Sequence, residues 1–91
     1  MPREWTIRGG TLLDGRSPAR RADVHLADGR VRRVAPALAA AECDLDATGL
    51  FVCPGFIDIH CHSDFAAFVY PRAESKVLAG VTTDVSGNCG V

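Results

Sequence analysis

Apolar and polar residues alternate in short runs along the first half of the chain. Trp5-Thr6-Ile7-Arg8 alternates until Gly9-Gly10 interrupts it, Thr11-Leu12-Leu13 follows, and Asp14-Gly15 turns the chain. A period of two marks a strand with one face against a core. Residues 22–27 repeat the pattern, with Val24 and Leu26 on one face and His25 on the other, where a histidine is exposed or satisfied locally. Asp28-Gly29 is a two-residue hairpin signal, and residues 30–34 form the return strand. Val31 and Val34 fall on opposite faces of that strand, which a bulge or an edge position explains. The Ala-rich residues 36–42 predict one helical turn or a loop, residues 44–49 a short strand and a turn, and residues 50–53 another apolar strand. These runs predict short antiparallel strands that build part of a small β-sandwich over residues 1–54.

Pro54-Gly55 marks a boundary, and the pattern then changes to strand, loop, helix, strand. Residues 56–62 predict a strand and residues 63–70 an aromatic-rich loop. Pro71 suits a helix's first turn, residues 72–79 a short helix, and Gly80 its stop. The β-branched run 81–85 is a second strand. A β-α-β unit implies parallel pairing through a crossover. The fold class expected is mixed β and α/β, with residues 55–91 the start of a parallel barrel. A complete (β/α)₈ barrel needs about 250 residues, so the 91 present predict a truncated, amino-terminal piece. Open strand edges and an apolar face including Ile57 and Ile59 predict self-association of such a piece, or else disorder beyond about Pro54.

Composition narrows the partners. Hydrophobic residues make up 47% and charged residues 23%, ordinary for a globular chain, which argues against disorder. A net charge of -1 offers no electrostatic footprint for nucleic acid or an anionic membrane. Residues 1–5 lack the apolar core of a secretory signal and no run is long enough to span a bilayer, so the expected location is cytoplasmic. The cysteines at 43, 53, 61 and 89 show no Cys-x-x-Cys spacing. Cys43 and Cys53 read as small core hydrophobes.

The chemistry is concentrated in Phe56-Ile57-Asp58-Ile59-His60-Cys61-His62-Ser63-Asp64. Strand alternation puts Asp58, His60 and His62 on one face and Ile57, Ile59 and Cys61 on the other. A strand entering a core cannot bury histidine and aspartate without partners, at a cost of roughly 2–7 kcal/mol for each unpaired polar group. His60-x-His62 at a strand's end therefore reads as half of a metal site. Ligands in α/β folds gather at the carboxyl ends of strands, where His62, Asp64 and Cys89 all fall.

The order Gly9-Gly10-Thr11, Ala22-Asp23-Val24, Asp28-Gly29-Arg30, Asp46-Ala47-Thr48-Gly49 and Pro54-Gly55-Phe56-Ile57-Asp58-Ile59-His60-Cys61-His62 resembles the amino terminus of the amidohydrolase superfamily. Gly80-Val81-Thr82-Thr83 followed by Gly87-Asn88-Cys89-Gly90 is most similar to its N-acyl-D-amino-acid deacylase, or D-aminoacylase, branch. The family's usual His-Thr-His is His-Cys-His here. The resemblance implies a metal-dependent hydrolase of amide bonds with one or two divalent ions, Zn²⁺ foremost, and a small-molecule N-acyl-D-amino acid as substrate. His60, His62 and Cys89 would hold metal, Asp58 would accept a histidine N–H, and Asp64 would orient a ligand or the substrate. No catalytic acid or base is implied within these residues, so the piece alone is expected to be inactive. The alternatives are a cyclic-amide amidohydrolase of the dihydroorotase or hydantoinase type, and a non-catalytic β-rich interaction module.

Overall fold

The computed structural model describes residues 3–87, apart from the side chain of Phe65. The chain divides into two compact units, Met1–Pro54 and Gly55–Val91. The first holds seven short strands: β1 (Glu4–Arg8), β2 (Thr11–Leu12), β3 (Arg20–Arg21), β4 (Asp23–Ala27), β5 (Arg30–Ala35), β6 (Cys43–Asp46) and β7 (Phe51–Val52). They form two sheets, in the orders β5-β4-β1-β6 and β3-β2-β7. Leu12, Ala22 and Val24 are buried together, and Ile7, Leu26 and Val52 pack on them, so both sheets contribute to one core.

The β4–β5 hairpin turns at Asp28 and Gly29, both with positive φ (51° and 75°), the backbone of a primed two-residue turn. Its register runs His25↔Arg33 and then Leu26↔Val31, leaving Arg32 extra on β5. The out-of-phase valines thus reflect a bulge on a strand at the sheet's edge. Two expectations are corrected. The sheets are not wholly antiparallel: β6 pairs parallel with β1, and β7 parallel with β2. Residues 36–42 carry the chain back across the sheet, as parallel neighbours require, and form a loop with no helical turn. Nor are Cys43 and Cys53 core residues: Cys43 lies half-buried on the edge strand β6, and Cys53 is exposed beyond β7. β3, two exposed arginines paired with Thr11 and Leu12, carries no apolar signal in the sequence.

Polar groups finish this unit. Thr6 is the most deeply buried side chain, and its hydroxyl donates to the Ala39 carbonyl at 3.1 Å, fastening the 36–42 loop. Asp23, 3% exposed, accepts from the Gly9 N–H (3.0 Å), the Leu38 N–H (2.9 Å) and the Arg21 guanidinium (2.6 Å). The two backbone donors, ahead of Arg21, hold its carboxyl down to a pKa of about 2. His25 lies half-buried on the far side of β4, its Nε2 3.7 Å from a Glu4 carboxylate oxygen.

The second unit contains β8 (Phe56–Cys61), α1 (Ser63–Ala66), α2 (Glu74–Leu78) and β9 (Val81–Ser86), with β8 and β9 parallel in a two-stranded sheet. α1 stands where the sequence predicts only loop. α2 starts later than Pro71 suggests, because Ala73 before it adopts a left-handed conformation (φ 47°). Gly80, at φ 91°, ends the helix and accepts the Phe56 N–H at 2.9 Å, so the helix stop also seats the start of β8. Gly55 serves a closer contact: a Cβ there would lie 2.2 Å from the Thr82 hydroxyl oxygen. Ile57 and Ile59 are 62% and 70% exposed, leaving the apolar face of β8 bare among the described residues. No helix among these residues is long and apolar enough to cross a membrane.

Two outcomes are expected. Asp23→Ala leaves the Gly9 and Leu38 amides without their acceptor and should cost about 2–3 kcal/mol in urea unfolding. Because the folded pKa lies below the unfolded one, this stabilisation is complete above about pH 4 and fades as pH falls toward 2. An acid titration of stability in which wild type and variant keep the same gap down to pH 2 would contradict the assignment. Gly55→Ala should force β8 and β9 apart at their start and destabilise by about 1–3 kcal/mol. A neutral result would show that Thr82 can move aside.

Candidate metal centre

The residues that can bind metal sit where β8 ends. His60 is the penultimate residue of β8, and His62 lies between the strand and α1. Both side chains are exposed, their ring centroids are 6.2 Å apart, and the rings are tilted by 53°. With Zn–N bonds of about 2.0–2.1 Å, two imidazoles on one ion have centroids roughly 5–6 Å apart. The observed 6.2 Å is longer than that, so sharing one ion requires the two rings to rotate toward each other; imidazole nitrogen itself suits zinc. Asp64 is exposed in the only turn of α1. Cys89 lies outside the described residues.

Behind the histidines lies a network of charges. Asp58, half-buried on β8, accepts the backbone N–H of His60 at 3.1 Å through Oδ1 and pairs with the Lys76 ammonium through Oδ2. Asp84, half-buried on β9, accepts the Ser63 hydroxyl at 2.5 Å and lies 3.4 Å from the same ammonium. The bond to Lys76, and then the His60 N–H, holds the Asp58 carboxyl below its ordinary pKa. The bond to Asp58 pushes the lysine above its own. Each group thus stays charged at neutral pH.

Cys61 departs from the sequence expectation. Strict alternation turns it away from Asp58, yet it is buried, 8% exposed, and its thiol donates to the Val85 carbonyl at 3.5 Å. Its Sγ and carboxylate oxygens of Asp58 and Asp84 all lie within 4.8 Å of one another. The β8–β9 register shifts between Asp58 and Cys61, and this irregularity breaks the period of two. The cluster has the composition of a cation site, but the Lys76 ammonium already answers its two carboxylates. An ion there would have to displace that lysine, so the arrangement is an ion-pair junction.

Lys76, Asp84 and Ser63 escape a reading based on the histidine motif. Two signals point to them. Lys76 is the one lysine beside nine arginines, and Asp84 is a charge inside the β-branched run 81–85.

No protein-family model matches the chain. It is 41% identical over 93 residues to a D-aminoacylase of Alcaligenes xylosoxydans xylosoxydans, a match covering 100% of this chain and 19% of that protein. Among solved structures it superposes on the N-acyl-D-glutamate deacylase of Bordetella bronchiseptica, crystallised with zinc and a phosphonate mimic of the tetrahedral intermediate. The TM-score is 0.86 at 40% identity, covering 100% of this chain and 20% of that one. It superposes equally on a D-aminoacylase with a binuclear metal centre, with TM-score 0.87, 38% identity, and 99% and 19% covered. The chain spans about a fifth of the length of these relatives. With matches that run along its whole length at this identity, the chain belongs to the amidohydrolase superfamily and is most like its D-aminoacylase branch.

Proposed function

We propose that this chain is the amino-terminal part of a zinc-dependent amidohydrolase that cleaves the amide bond of N-acyl-D-amino acids. The observation that carries the reading is the His60–His62 pair, with neighbouring rings at the end of β8, in a chain that matches zinc-bound deacylase structure along its length. In this reading Gly55–Val91 begins a parallel barrel, and later strands and helices cover Ile57 and Ile59, the apolar face now exposed.

His60 and His62 would hold a divalent ion through ring nitrogens, and Cys89, three residues beyond the end of β9 in the sequence, would supply a thiolate to the catalytic zinc. A zinc ion held there would supply Lewis-acid polarisation of the amide carbonyl and lower the pKa of water to about 7. Asp58 fixes the backbone from which the His60 ring projects, so the ligand is held in place before substrate arrives. Asp64, on the turn after His62, would orient a ligand or the substrate. The proton acceptor and the pocket for the acyl group come from parts of the protein beyond these residues. The substrate is a small molecule, and a net charge of -1 gives no reason to add nucleic acid or membrane as partners.

In the full-length protein, His60→Ala should lose most of its zinc and lower kcat/KM toward N-acetyl-D-amino acids by at least about 10²-fold. Metal analysis and initial rates measure both. Wild-type zinc content in the variant would remove His60 from the site. The 91-residue chain by itself should show no turnover that a chelator abolishes.

A further inference from the structure

We propose that Lys76 is a positioning residue for the metal-binding end of β8: its ammonium ties Asp58 of β8 to Asp84 of β9 and fixes how the two strand ends stand relative to each other. This rests on the reading that His60 and His62 hold metal.

The argument begins with a repulsion. Asp58 and Asp84 are direct partners across the parallel pair, and like charges opposite each other destabilise a sheet. The register shifts on both sides of this pair, between Phe56 and Ile57 and between Asp58 and Cys61. Regular pairing alone therefore does not hold the strands in alignment there. A cation between the carboxylates reverses the sign of the interaction, and Lys76 of α2 supplies it, bonded to Asp58 and 3.4 Å from Asp84. All three side chains are half-buried, so solvent screens the contacts less than at an open surface.

The link to the metal site is short. The Asp58 oxygen that does not face Lys76 accepts the backbone N–H of His60. Asp84 lies two residues before the end of β9, and its other oxygen takes the Ser63 hydroxyl, next to His62. One ammonium thus reaches both histidines: through Asp58 to the backbone of His60, and through Asp84 and Ser63 to the start of α1. The Cys61 thiol adds a third tie from β8 to the Val85 carbonyl. The residue type also fits. Of ten basic residues in the chain, this is the one lysine. A lysine is a compact point charge that meets two carboxylates with a single nitrogen, whereas an arginine fork is built to grip one carboxylate side-on.

The test uses the full-length protein loaded with zinc or, for spectroscopy, cobalt(II). Lys76→Met keeps the apolar stem and removes the charge. It should weaken zinc roughly tenfold in chelator competition and shift the visible bands of the cobalt form. Lys76→Arg should recover part of both. Asp84→Asn, which keeps size and an acceptor for Ser63, frees β9 from the clamp and should move the cobalt bands in the same direction even if Lys76→Met fails to fold. His60→Ala separates the two claims. If it keeps wild-type zinc affinity, the metal reading fails and this inference with it. If His60→Ala loses zinc while Lys76→Met and Asp84→Asn keep wild-type affinity and cobalt spectrum, Lys76 holds only the fold, whatever happens to the melting temperature, and the positioning role is wrong.

Discussion

Two carboxylates face each other across a pair of parallel strands, and the second unit depends on how that conflict is resolved. Asp58 and Asp84 are register partners, and without a cation their charges would push β8 and β9 apart. Lys76 stands between them, on the helix of the crossover that joins these two parallel strands. The crossover thus does more than connect strands. It delivers the counter-charge that lets two aspartates sit side by side within a turn of the candidate metal ligands. Asp58 and Lys76 stabilise each other's charged form, so their ion pair persists across the neutral range.

The first unit uses the same device with backbone donors. Its apolar core is small, Leu12, Ala22 and Val24 with three partly buried neighbours. A core of that size buries little surface, so polar contacts carry much of the definition of the fold. Asp23 gathers the Gly9 and Leu38 amides and Arg21, drawing the glycine break after β1, the loop over Thr6 and the start of β4 to one point. In both units a buried or half-buried aspartate, at the start of β4 in the first and inside β8 and β9 in the second, sets which segments can be neighbours.

Much of this is written in the sequence in local form. Asp28-Gly29 requires the positive φ angles it shows, and the misphased valines at 31 and 34 record a real bulge. Gly80 ends the helix because no other residue takes that conformation cheaply. The spacing His60-x-His62 alone puts two imidazoles near each other. What the sequence hides is non-local. The parallel pairing of β6 and β7 depends on where a loop crosses, not on the alternation of either strand. The position of Cys61 beside Asp58 follows from a register shift set by the partner strand. Gly55 reads as part of a boundary, and only the approach of Thr82 shows why a side chain does not fit. Lys76 carries no motif, and its role exists only once three elements have come together.

The central claim is that the end of β8 supplies two imidazoles to one zinc ion, with a thiolate from the segment after β9. X-ray absorption at the zinc edge of the full-length protein tests it most directly. The account predicts imidazole scattering from two rings and one sulfur at about 2.3 Å, with the imidazole signal reduced in His62→Ala. A zinc shell of oxygen alone, or a spectrum that His62→Ala leaves unchanged, would contradict it.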